Sequence, residues 1–145
     1  MAVLGTVGCR DDDESPTSPA DTGIAGDYQL VIRASGRCGP ELDAGRTQDF
    51  DATITESGTD VTITLTSRQG LPTEGRFEGI RDISALQVQG TVDITPTETT
   101  RSYQASGTMA GPVGVDRMQL LFEGTIQYGD AACPAPDHQA AFVRD

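Results

Sequence analysis

Downstream of Gly26, hydrophobic and polar residues alternate with a period of two in eight separate runs. In GDYQLVIRAS, Tyr28, Leu30, Ile32 and Ala34 share one face, and Asp27, Gln29 and Arg33 share the other. DFDATITE sets Phe50, Ala52 and Ile54 against Asp49, Asp51, Thr53 and Thr55. DVTITLTS contributes Val61, Ile63 and Leu65, and GRFEGI contributes Phe77. ALQVQGTVDIT aligns Leu86, Val88, Val92 and Ile94, and SYQASGTMA aligns Tyr103, Ala105 and Met109. RMQLLFEGTIQYG aligns Met118, Leu120, Phe122, Ile126 and Tyr128, and DHQAAFVR aligns Ala140 and Phe142. Alternation with one apolar face marks half-buried antiparallel strands. Eight strands are predicted, none with a proline in its middle. PELDAG is enough for one helical turn, and no stretch supports a long helix.

Eight antiparallel strands make either a sandwich or a barrel, and the connections favour the barrel. Those after the second, fourth and sixth strands are short: SGT, DISA and roughly GPVGVD. Those after the first, third, fifth and seventh are longer: GRCGPELDAG, RQGLPT, PTETTR and DAACPAP. In an up-and-down meander alternate connections lie at opposite ends, so tight turns gather at one end and longer loops at the other. The predicted fold is therefore all-β, an eight-stranded antiparallel up-and-down barrel spanning 24–145.

Three strands carry Gly-Thr in their middles, at 90–91, 107–108 and 124–125. Gly90, Gly107 and Gly124 share parity with the inward apolar residues, as does Gly79. Two readings stand side by side. Inward glycine lets a small barrel bend sharply, because no Cβ crowds the inside. Alternatively, the missing side chains leave a cavity for a ligand.

Cys38 follows the first strand and Cys133 the seventh, both at the long-loop end of the meander. The eighth strand starts there and pairs with the first if the barrel closes. A Cys38–Cys133 disulfide is therefore expected to staple the seam, the alternative being two free buried thiols. A disulfide implies an oxidising compartment.

The N-terminal residues change the picture of where the barrel sits. MAVLGTVGC resembles the end of a bacterial lipoprotein signal, with small residues leading to a cysteine for lipidation, here Cys9. Segment 1–9 is thus expected to be a truncated signal-like stretch, too short to span a membrane. The acidic, Ser/Pro/Thr-rich segment 10–23 cannot bury a core and is expected to be a disordered linker. The alternative is a disordered tail with a stray thiol. The net charge of −12, with ten arginines and no lysine, argues against charge-driven binding to nucleic acid or to an anionic membrane. Membrane contact is expected only through the lipid anchor, and the location is expected to be extracytoplasmic: periplasm, outer membrane or cell surface.

Gly26-Asp27-Tyr28 at the start of the first strand and Arg144 at the end of the last resemble the lipocalin-like barrels of the calycin group. There a Gly-x-Trp opens the first strand and an arginine packs over the Trp. The resemblance implies that Tyr28 and Arg144 stack at the short-turn end as a barrel-closing cation–π pair. The chain from 26 onward is also similar to uncharacterised secreted bacterial barrels. Those share a cysteine after the first strand, a second strand like RTQDFDATIT, a Ser-Gly turn, and an ending like Cys133, Asp137-His138, Phe142 and Arg144.

Chemical signatures are sparse. His138 is the only histidine, and the sequence holds no metal-ligand spacing, phosphate loop or nucleophile elbow. No enzyme activity, cofactor or metal is expected. One expectation is a small apolar or amphipathic ligand, with its tail among Val88, Gly107, Phe122 and Ile126 and its head group near His138, Arg37, Arg68 and Arg101. The other is an envelope protein as partner, bound by a barrel with a filled core, with His138 in a structural role.

Overall fold

The computed structural model describes residues 23–39, 42, 47–68, 70–98 and 101–145. The signal-like segment, Cys9 and the acidic linker up to residue 22 lie outside them. Eight strands follow in chain order: β1 Gly26–Arg33, β2 Thr47–Ser57, β3 Asp60–Ser67, β4 Thr73–Arg81, β5 Ala85–Ile94, β6 Tyr103–Pro112, β7 Arg117–Tyr128 and β8 Ala131–Arg144. Each pairs with the next, and β8 closes on β1, giving a closed antiparallel barrel. The apolar residue of each alternating pair faces inward, as the pattern predicts, so one core runs the length of the barrel.

The strands are steeply staggered. The line of partners that leaves Tyr28 on β1 passes through Ala52, Leu65, Gly75, Val92, Ala105 and Ile126 and arrives at Cys133 on β8. Tyr28's own neighbour on β8 is Arg144, at the opposite end of that strand. Stagger of this kind fixes the strand tilt, and tilt and strand number together set the barrel radius.

The glycine band is a line of close approach. Phe77, Gly90, Gly107 and Gly124 stand directly opposite one another on β4 to β7. A Cβ on Gly107 would run into the Glu123 carbonyl oxygen, and one on Gly124 into that of Ser106. That same Cβ on Gly107 would lie 2.8 Å from the Phe122 ring. The glycines therefore let the strands coil tightly, and Phe122 occupies the space inside them.

One connection differs from expectation. DAACPAP is not a loop: β7 and β8 are joined by the two-residue turn Gly129-Asp130, and β8 begins at Ala131. Gly129 has φ 60°, the left-handed conformation such a tight turn requires. Pro134 and Pro136 are tolerated within the strand because β1 pairs only with Gln139 to Arg144. The first half of β8 thus has one side outside the ladder, where a missing N–H costs nothing. A bulge follows: Phe122 and Gly124 face His138 and Ala135, so β8 carries an extra residue there.

Candidate functional site

Three features bear on function: the closed end, the seam around His138, and the interior between them.

At the short-turn end, Arg144 gathers backbone and side-chain oxygens. Its Nε donates to the Val115 carbonyl at 2.8 Å, its Nη1 to Ala25 and its Nη2 to the Tyr28 hydroxyl at 2.7 Å. The guanidinium carbon also lies 4.8 Å from the Tyr28 ring centroid, so the expected cation–π pair is present. Tyr28 is fully buried, and its hydroxyl donates toward the Ile24 and Val115 carbonyls. Burial pushes its pKa up, against the pull of Arg144. Gly26 makes this possible: it has φ 147°, and a Cβ there would collide with the Arg144 guanidinium. Beside this pair, Glu56 accepts the Ile24 and Ala25 N–H groups and pairs with Arg81 at 3.1 Å. The clamp holds Ile24, fully buried, as the stopper of this end.

At the other end, Cys38 and Cys133 form the expected disulfide, with Cα atoms 5.6 Å apart. The loop it pins returns a turn in which Leu42 N–H donates to the Gly39 carbonyl, and Leu42 is buried against the core. The expected ligand mouth is therefore covered by Leu42.

His138 is sealed in the wall with no exposed surface, rather than standing at a rim. The Ser35 N–H donates to its Nδ1 at 2.9 Å, which fixes the proton on Nε2. Nε2 then donates between the Gly124 and Cys133 carbonyls at 3.1 and 3.2 Å. One neutral imidazole thus ties β1's end to β7 and β8 across the bulge. Burial holds its pKa below the usual value, against the pull of the two carbonyls and of Asp137. Asp137 pairs with Arg37 at 3.4 Å, and the Ser35 hydroxyl together with Arg37 holds its carboxyl below the usual range. Serine, histidine and aspartate meet here, but not as a hydrolytic relay. Both imidazole nitrogens are engaged by the backbone, so neither stands free to take a proton from a hydroxyl.

The expected ligand residues do not assemble into one site. Arg68 pairs with Asp51 at 2.8 Å, and Arg101 lies 5.7 Å over the Tyr128 ring. With Arg37 on Asp137, each rim arginine is turned to its own partner. Val88, Phe122 and Ile126 are fully packed. Rings from distant strands meet across the interior: Phe50 on β2 with Tyr103 on β6 at 6.1 Å, and Phe77 on β4 with Phe122 on β7 at 6.2 Å. Phe122 also meets His138 at 5.7 Å. The sequence reading missed Ile24, Leu42, Glu56 and Arg81. Glu56 and Arg81 do share inward parity with their strands' apolar residues, and that was the available signal.

Among the described residues no group of three His, Cys, Asp or Glu side chains is placed to hold a metal ion. No protein-family model matches the chain, and no curated protein or solved structure is significantly similar to it. The class is accordingly defined by architecture: an eight-stranded closed antiparallel barrel, compatible with the lipocalin-like type and carrying one disulfide.

Proposed function

We propose that this is an extracytoplasmic, lipocalin-like barrel, lipid-anchored through Cys9, which binds another protein of the envelope through its outer surface. The observation that carries the reading is the filled interior. Ile24 and Leu42 stop the two ends, and rings from distant strands touch across the space between. Binding sites for small molecules are concave and mostly apolar, and need a few hundred Å³. An interior packed in this way leaves the outer surface to do the work.

The remaining parts of the reading have separate supports. The Cys38–Cys133 disulfide is compatible with an oxidising compartment. It leaves Cys9, after its run of small residues, as the third cysteine and the one suited to lipidation. A non-catalytic role accords with the wiring of Ser35, Asp137 and His138, in which neither imidazole nitrogen is free to take a proton from a nucleophile.

Native mass spectrometry of the protein extracted from its source cells tests the reading. The expected result is a lipid-modified chain, alone or with a stoichiometric protein partner. A stoichiometric small apolar molecule retained by the barrel would overturn it.

A further inference from the structure

The outer face of a barrel in water is expected to be polar, and most of this one is. Among the described residues, the large apolar side chains most open to solvent are Ile83, Ile80 and Leu121, at 68, 61 and 58 % exposure. They fall in one place. Ile80 on β4 stands opposite Gln87 on β5, which stands opposite Ala110 on β6, which stands opposite Leu121 on β7. At a strand spacing of ~4.8 Å this stripe is roughly 14 Å long. Ile83 lies in the β4–β5 turn, three residues beyond Ile80. Ile80 lines a groove of about 410 Å³ together with Leu86, Ala110, Gly111, Arg81 and Asp82. The cleft around Arg76, by contrast, is lined mainly by polar and charged groups.

Apart from Arg81, the charges around the stripe are acidic. Asp60 is paired in register with Ile80, Asp82 heads the turn that carries Ile83, and Glu123 follows Leu121 on the same face of β7. Asp82 is locked in place: its Oδ1 accepts the Ser84 and Ala85 N–H groups at 2.7 and 2.8 Å. The nearest arginine, Arg81, is turned to Glu56. An acidic border on a molecule of net charge −12 disfavours two of the possible occupants. A second copy would bring acidic border against acidic border, and an anionic lipid surface would be repelled.

We propose that the outer face around Ile80, Ile83 and Leu121 docks a partner polypeptide segment that carries an apolar side chain flanked by Lys or Arg. The proposal rests on the protein-binding reading and locates its surface. The apolar anchor fills the groove beside Ile80, and the flanking cations meet Asp60 and Asp82. Charge complementarity of this kind speeds encounter and fixes orientation, while the apolar contact supplies most of the affinity.

The test is a titration of the isotope-labelled full chain, followed by amide shifts. The probes are the synthetic peptide acetyl-Lys-Leu-Phe-Leu-Lys-amide and its counterpart with Glu in place of both Lys. The basic peptide is expected to shift Ile80–Gln87 and Ala110 saturably, more weakly at high salt, and the acidic peptide to shift them little. Ile80→Ser is expected to weaken the basic peptide by about tenfold, the worth of one exposed-to-buried aliphatic contact, with the rest of the spectrum unchanged. Equal response to both peptides, or no shift at these residues, overturns the proposal. So does response of the stripe to protein dilution alone, which would make the occupant a second copy, or to phosphatidylcholine vesicles but neither peptide. Peptide shifts on another part of the outer face would overturn this site and leave the protein-binding reading standing. Shifts of Val88 and Gly107 inside the barrel would overturn both.

Discussion

His138 sets the residue-scale chemistry of the seam. Its folded form is neutral, because Nδ1 accepts from Ser35 and burial disfavours the cation, so its pKa lies below the ordinary 6.5. Asp137 alongside pulls the other way without reversing the direction. The contribution of His138 to stability is therefore whole above pH 6.5. It is lost as pH falls below 6.5 and through the lower native value, because the unfolded chain takes up the proton first. Urea unfolding of wild type and His138→Gln between pH 8 and 5 checks this: wild type is expected to lose stability over that range more steeply than the variant. Equal slopes would show that His138 does not titrate with folding. Gly107 sets a different kind of limit. A methyl at that position meets the backbone of Glu123 and Gly124, which cannot yield as a flexible side chain would. Gly107→Ala is expected to cost about 2–3 kcal/mol by overpacking, read as a lower urea midpoint with an unchanged slope. A stability gain would mean that the band has slack.

Among the elements, β8 carries the closure. Its second half pairs with β1, and its first half is held to the β1 end by the disulfide and by His138. Linking residues separated by 95 positions is worth about 4–5 kcal/mol in the chain-entropy treatment, an upper figure. Cys38→Ser with Cys133→Ser is therefore expected to lower unfolding free energy by a large part of that. Hydrogen exchange is expected to rise first at Ser35 and in the first half of β8, not in β3 to β6. Uniform acceleration across the barrel would contradict the idea that these cysteines staple one seam. The same element shows where a sequence stops being legible. Most of the strands are readable because apolar residues recur at every second position, with Phe77 alone marking β4, and the loop lengths and cysteine positions then give closure. The first half of β8 offers only Ala131, Cys133 and Ala135 inside, with Pro134 and Pro136 between them. The prolines read as loop, and the free side of the strand that excuses them is a property of the assembled ladder. Ile24 and Leu42 are harder still. A single apolar residue in a connecting segment has no period, and only the three-dimensional path of the chain makes it a stopper.

For the whole molecule, the structure is of a barrel with a packed interior, and the proposed function lies on its outer surface. The Tyr28–Arg144 pair was legible from its motif, and the inward glycines were legible as a band. Whether that band meant bending or a cavity was not, because it depends on which ring lies over the missing Cβ atoms. Phe122 lies there, and Phe77 and His138 meet it. The net charge of −12 is spread over a surface with few exposed large apolar groups, so the stripe at Ile80, Ile83 and Leu121 stands out against it. The measurement that bears most directly on this account is titration of the folded, oxidised protein with an apolar fluorescent probe. The account predicts no saturable binding inside the barrel up to high micromolar concentration, and no change of signal on Gly107→Leu. Saturable binding that Gly107→Leu abolishes, with the barrel still folded, would contradict it.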